Sequence, residues 1–554
     1  MANRTLKWLI ISLLAISMFL VGCGSKSNNQ ASENQTPSGG NESPSGDKGT
    51  PEDNSGGGSG KDTLVYGRGG DSVTLDPITT TEGETFAVTI NIFETLLTYG
   101  LQDTTIQPGL AEKWEVTDDG LEYTFHLRQG VKFHDGTDFN ADAVIYNFNR
   151  WMNGNEDQFP YYTMFGGFKK DEGHVIKEIN ALDEHTVQFI LKRPQAPFLK
   201  NIAMDMFAIA SPAALEKYGK DFRNNPVGTG PFKFVEWRQE DRIVLEKNTD
   251  YWNKEEPKLN KLIFRVIPEN TARLNALVNG ELDVMDGLNN SDEATVLANE
   301  NLQIIERPSM NVGYLGMTTT RKPFDNKLVR QAMNHAIDKK TIIDAFYGGK
   351  AIPAKNPMPS SIEGYNDDIE DYPYDLDKAR ELLKEAGYEK GFEIDLWAMP
   401  VARPYMPEAQ KVAEVIQESL SQIGVKANIK TVDWNTYLEK ATAGEFDMFM
   451  LGWTGDNGDP DNFIYTLLDK DSIGSNNYSR YSNDELHDIL IEAQTITDQE
   501  KRNELYRQAQ EIIHEDAPWV PLVHSTPLLA ATKDLVNYFP HPTGSTVLSR
   551  VEFK

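Results

Sequence analysis

A chain of 554 residues exceeds what one hydrophobic core usually organises, so more than one domain is expected. Hydrophobic residues at 39% and charged residues at 25% are ordinary for a globular protein. The formal net charge of -30 argues against nucleic-acid binding, which needs a basic face, and implies a soluble, self-repelling surface.

The first predicted element is a signal peptide over residues 1–22. Arg4 and Lys7 precede an apolar run, residues 8–21, that is too short to cross a membrane comfortably. It closes on Leu20, Val21, Gly22 and Cys23, a boundary that resembles a bacterial lipobox, with cleavage before Cys23 and lipid on its thiol. Cys23 is the one cysteine of the chain, so the lipidated protein would hold no disulfide, no catalytic thiol and no cysteine-held metal. Residues 24–61 are Gly, Ser, Asn and Pro with scattered charges, too poor in apolar side chains to fold. They predict a flexible tether over 23–61 with a span on the order of 35 Å, enough to lift a globular body clear of a lipid surface.

The folded part begins with a short strand at 63–66, a turn-like stretch at 67–84 and a helix expected over 86–98. Alternating segments at 113–116 and 122–127, with Asp118, Asp119 and Gly120 between them, predict a hairpin. Further strands are expected at 186–191, 232–237, 242–246 and 262–267, and an amphipathic helix at 271–278. Around 309–317 the character changes, and helices and strands alternate from there to 519–523. The tail from about 527 to 554 is too short for a core of its own and is expected to return to the first lobe. Two crossings, near Met310 and Ser525, would then form a two-strand hinge; no internal repeat is visible.

The most informative stretch lies within 393–463. Residues 393–399 alternate like a strand and end in Pro400, Val401, Ala402, Arg403, Pro404 and Tyr405. A helix over about 407–423 follows, opened by Pro407, stopped by Gly424 and striped with Val412, Val415, Ile416, Leu420 and Ile423. Residues 425–432 read as a strand and about 436–443 as a short helix. The apolar run 448–451 then reads as a buried strand that breaks into Gly452, Gly455 and Gly458. Asp456, Asp459 and Asp461 crowd this break, with Asp447 upstream. Such a β-α-β-α-β order predicts parallel strands, and open α/β sheets bind ligands just past the carboxyl ends of their strands. Arg403 and Asp456 would therefore face one crevice, with Trp453 as an apolar wall and the glycines letting backbone approach a ligand. An ordinary Asp-rich surface turn is the competing reading of the loop alone.

With these residues in hand, the chain resembles the dipeptide-binding members of the family-5 extracellular solute-binding proteins of peptide ABC transporters. The likeness covers residues 61–554, and its most specific pieces are LWAMPVARPY at 396–405 and GWTGDNGDPDNF at 452–463. NPVGTGPF at 225–232, MNVGYL at 310–315 and LLKEAGYEKGF at 382–392 add to it. The resemblance implies an α/β, bilobed type II (Venus-flytrap) fold: lobe I over 62–309 plus 527–554, with an inserted subdomain at about 91–229, and lobe II over 310–526. It implies that Asp456 pairs with a dipeptide's α-ammonium and Arg403 with its α-carboxylate, while Tyr405, Trp453 and Gly455 shape the pocket. Gly83 would contribute from the 81–83 loop, where Glu82 departs from the family's more hydroxyl-rich pattern. Two opposite charges at matched separation measure ligand length, because a longer peptide leaves a charge buried and unpaired. The implied partners are a dipeptide, the permease subunits of an ABC transporter and the membrane through lipid on Cys23, on the extracytoplasmic face, with the protein itself a monomer.

No cofactor and no enzymatic activity are expected. The chain has no H-E-x-x-H, P-loop, nucleophile elbow or dinucleotide fingerprint, and its nine histidines are scattered. His134 and His514 read as surface or capping groups. A metal-dependent enzyme or calcium site on Asp456, Asp459 and Asp461 is the rival from another class, and the spacing fails the EF-hand pattern. Within the binding class, the alternatives are oligopeptides, glutathione, or chelated metal or haem.

Overall fold

The structure is a computed structural model that describes residues 60–554; the signal, lipobox and nearly all of the tether expected from the sequence lie outside the described residues. Two large mixed sheets carry the fold. The first has seven strands in the order Leu302–Glu306, Leu528–Thr532, Val284–Leu288, Thr63–Arg68, Lys261–Val266, Arg242–Lys247 and Phe232–Arg238. The second has six, in the order Ala351–Pro353, Trp519–Ser525, Asn311–Met317, Met448–Thr454, Phe392–Trp397 and Val425–Lys430. A separate antiparallel sheet of four strands, Ala111–Val116, Glu122–Leu127, Thr186–Leu191 and Ile176–Asp183, lies between the first and later strands of the first sheet in chain order.

The chain passes between the two large sheets twice, between Glu306 and Asn311 and between Ser525 and Leu528. The passages are tied together. Asn311 donates its Nδ2 to the Ser525 carbonyl at 2.9 Å and accepts from the Ser525 amide at 3.0 Å. The Arg307 amide donates to the Pro527 carbonyl at 2.9 Å.

The expected parallel unit is present. Phe392–Trp397 pairs in parallel with both Val425–Lys430 and Met448–Thr454, so the strands that precede Arg403 and Asp456 are neighbours. Its helices form at Ala409–Ser421 and Trp434–Ala443. The apolar run is buried as its composition requires: Met448, Phe449, Met450 and Leu451 join one core cluster with Val312, Leu315, Ile416 and Leu522. At roughly 25 cal/mol per Å² of apolar surface, each such side chain contributes on the order of 1.5–3 kcal/mol.

The hairpin around Gly120 forms, with φ of 65° at that glycine. The helix expected over 86–98 is much shorter: it spans Gly83–Thr89, and Leu97–Tyr99 is a strand. Tertiary pairing overrides the helical pattern here. The amides of Phe232 and Gly230 take the carbonyls of Asn91 and Ile92, which a continuing helix would have used internally. His134 is also different from expectation; it is half-buried, its Nε2 lies 2.9 Å from the Gly230 carbonyl, and burial holds its pKa down to about 4.

Among the described residues no helix is long and apolar enough to cross a membrane.

Candidate functional site

Strand Met448–Thr454 runs past the end of its parallel neighbour. Trp397 pairs with Phe449, and beyond that the strand pairs only with Asn311–Met317, through Gly452 with Gly313 and Trp453 with Val312. The turn after Phe392–Trp397 folds back into the vacated edge, closed by paired backbone hydrogen bonds between Arg403 and Met406 at 3.1 and 2.8 Å. Tyr405 fills this space, and two glycines make room for it. A Cβ on Gly452 would come within 2.2 Å of the Tyr405 ring, and one on Gly313 within 2.4 Å of its carbonyl oxygen. The Tyr347 hydroxyl donates to that carbonyl at 2.8 Å, and Tyr405 itself is buried.

The other loop glycines are also closely packed. A Cβ on Gly455 would sit 2.6 Å from the Phe463 ring, while its amide donates to the Met310 carbonyl at 2.8 Å. Gly458 has φ of 65° and lies against Thr104.

The acids that composition could not rank now separate. Asp447 pairs with Arg321 at 2.9 Å at the start of the strand. Asp459 is fully enclosed and receives both ends of the Arg502 guanidinium, at 2.8 and 2.6 Å. Burial raises the Asp459 carboxyl, but the arginine outweighs it and the net shift is downward. Asp461 accepts from Gln494 at 3.0 Å and Tyr506 at 3.2 Å, and burial together with Asp459 pushes it up to about 6. With both Asp459 oxygens committed to Arg502, the three acids do not converge on one ion; among the described residues the group of acids and histidine close enough for a metal is Asp469, Asp471 and His487, elsewhere.

Asp456, like Asp461, is held by neutral donors. It accepts from the Tyr161 hydroxyl at 3.1 Å and from Asn462 Nδ2 at 3.0 Å, and its amide donates to Asn462 Oδ1 at 2.9 Å. The same Asn462 oxygen accepts from Trp453 Nε1 at 3.0 Å, so one side chain locks both the acid and the indole. No lysine, arginine or histidine among the described residues lies within 4.0 Å of Asp456, and burial lifts its carboxyl to about 6. A half-buried carboxylate held by neutral donors, with no cation, is suited to receive a positive charge from outside.

Arg403 shows the complementary condition. Its guanidinium stacks over Trp434 at 5.3 Å, and among the described residues no carboxylate lies within 4.0 Å of it. Gly83 opens the Gly83–Thr89 helix, is exposed, and has no neighbour where its Cβ would be.

Tyr161 and Asn462 were not singled out by the sequence. Asn462 lies inside the recognised loop, but Tyr161 is 295 residues from Asp456 and carries no local signal. It belongs to the short 3-10 helix Pro160–Phe165, braced by Phe86 at 6.1 Å between ring centres. Two more hydrogen bonds join the same regions: Lys200 Nζ to the Gly458 carbonyl at 2.7 Å and Asn457 Nδ2 to Asn201 Oδ1 at 2.8 Å. The acidic loop is thus clasped between the second sheet and the inserted part of the chain.

Known proteins resemble this chain in sequence and in fold. The sequence profile of the bacterial extracellular solute-binding proteins, family 5 (middle region), matches residues 105–475. The chain belongs to that family. It is 42% identical over 500 residues to the dipeptide-binding protein of Escherichia coli K12, covering 87% of this chain and 93% of that one. It is 38% identical to heme-binding protein A of Haemophilus influenzae, covering 96% and 97%. Among solved structures, the periplasmic binding protein DppA of Helicobacter pylori, in complex with the peptide STSA, superposes with a TM-score of 0.78 at 37% identity, covering 89% and 98%. The fold is therefore the bilobed type II fold of family-5 binding proteins, a family of extracytoplasmic binding proteins rather than of enzymes.

Proposed function

We propose that this protein captures dipeptides outside the cytoplasm and delivers them to an ABC-transporter permease. The observation that carries the reading is Asp456, a half-buried carboxylate oriented by Tyr161 and Asn462 with no cation of its own. A peptide's α-ammonium completes it, and the free Arg403 guanidinium takes the α-carboxylate as a bidentate pair. In this reading Tyr405, Trp453 and Gly455 shape the pocket, and Gly83, exposed at the start of its helix, contributes from the first lobe. The named ligands of the E. coli and H. pylori relatives support a peptide.

The two lobes are assigned to 62–309 plus 527–554, with an inserted subdomain at about 91–229, and to 310–526, with the tied passages near Asn311 and Ser525 as hinge. A ligand touching both Asp456 and the Tyr161 side favours the closed form. Lipid on Cys23 and the tether hold the monomer at the membrane; Cys23→Ala releases it from the membrane fraction or leaves it unprocessed, and normal-sized mutant protein in membranes refutes the anchor.

Calorimetric titration tests the ligand. Free dipeptide is expected to bind far more tightly than its N-acetylated or C-amidated forms, and more tightly than a longer peptide, glutathione or haemin. Acetylated and free dipeptide binding alike would remove the ammonium from the site.

A further inference from the structure

A second cavity, of about 220 Å³, opens on the first-sheet side of the molecule, and neither Asp456 nor Arg403 lines it. Its volume is many times what one water requires and approaches that of small-ligand pockets. It lies between the Leu97–Tyr99 strand, the turn bearing Tyr251 and Trp252, and the C-terminal segment 537–550.

Three acids reach its lining, and they are not equivalent. Glu256 is paired with Arg550 at 2.8 Å and with Ser549. Glu94 is satisfied by neutral donors: Tyr251 and Trp252 at 2.9 Å each and Thr229 at 2.7 Å. Asp205 has one side-chain donor among the described residues, the Ser545 hydroxyl, and no cation within 4.0 Å; burial lifts its carboxyl to about 6. Aromatic surface surrounds these acids. Tyr99 is stacked on His541 at 5.8 Å, and Trp252 on Arg128 at 4.2 Å. At the mouth stand Leu101, Phe539 and Val547, exposed to 45%, 38% and 39%. Exposed large apolar side chains gathered at one opening mark a place that an apolar body covers.

We infer that this cavity binds a small organic cation, an amine with an aromatic or alkyl body. The ammonium would meet Asp205, whose charge the fold leaves uncompensated, and the body would lie on Tyr99, Trp252 and the apolar mouth. A bare metal ion suits it less: it wants several converging oxygens, whereas Glu94 and Glu256 are already committed to protein donors. The cavity shares no lining residue with the Asp456–Arg403 clamp, and the inference does not rest on the dipeptide reading.

Calorimetry on the full protein at neutral pH tests this with phenethylamine as the cation, phenylacetate as its shape-matched anion and calcium chloride as a metal ion. Phenethylamine is expected to bind. Asp205→Asn should weaken it by about thirtyfold or more. Thr98→Trp, which fills the cavity from an exposed position, should abolish it. Asp456→Ala should leave it unchanged, which separates this site from the peptide cleft. The inference is overturned by no binding to the wild type, by equal binding of phenylacetate, by calcium binding that Asp205→Asn removes, or by an amine affinity lost in Asp456→Ala but kept in Thr98→Trp. Should Asp205→Asn fail to fold, the Thr98→Trp titration decides.

Discussion

Asp456 and Asp459 stand three residues apart in one loop, the first half-buried and the second fully enclosed, and the fold treats them oppositely. Asp459 has its cation built in, as Arg502 from the Gln499–Asp516 helix, and its carboxyl is held below the usual range. Asp456 has only neutral donors and is pushed up to about 6. One acid has its counter-charge built into the fold; on the proposed function, the other takes it from a ligand.

The largest expected effect falls on Asp459. Arg502→Ala leaves Asp459 buried without a cation, which costs about 3–5 kcal/mol of stability. Urea unfolding of the ligand-free protein measures it, and a loss below about 1 kcal/mol would mean that the pair is not what fixes the loop. Asp456 is expected to behave the other way. Asp456→Ala should weaken dipeptide binding by about 30- to several-thousand-fold, or roughly 2–5 kcal/mol, while leaving urea unfolding of the free protein undiminished. Loss of both stability and affinity would make Asp456 a second structural acid and erase the contrast.

A smaller effect follows from protonation. Burial raises Asp456 to about 6, so below that pH the free protein holds a proton that must leave before an ammonium can bind. Dipeptide affinity is therefore expected to fall as pH drops through 6 and to be about tenfold weaker at pH 5 than at pH 7. Asp456→Asn should flatten this dependence; an unchanged slope in the variant assigns it to another group, of which Asp461 and Asp205 lie in the same range.

The smallest effect is on the empty protein. Since Asp456 is raised above its ordinary value in the folded state, folding takes up a proton between about pH 4 and 6, and stability falls as pH rises through that window. Removing the charge with Asp456→Asn is expected to raise the ligand-free melting temperature by a few degrees at neutral pH and by nothing near pH 4, as read by scanning calorimetry. A lower melting temperature at neutral pH would show that the carboxylate, not its absence, is what Tyr161 and Asn462 stabilise.

What the sequence by itself determined is the local frame. Alternation at 393–399, the apolar run at 448–451 and the helical stripe between them predicted a parallel unit, because each depends on neighbours within a few residues. The family motifs at 396–405 and 452–463 marked the same two loops. Tertiary structure decided everything that depends on partners far away in the chain. It cut the helix at 86–98 short by giving the carbonyls of Asn91 and Ile92 to residues near 230. It set Tyr405, Phe463 and Thr104 against Gly452, Gly455 and Gly458. It brought Tyr161 to Asp456 across 295 residues and Arg502 to Asp459 across 43. Four aspartates look alike in sequence because a carboxylate's role is set by the charge and hydrogen bonds that surround it in space, and no spacing along the chain records those.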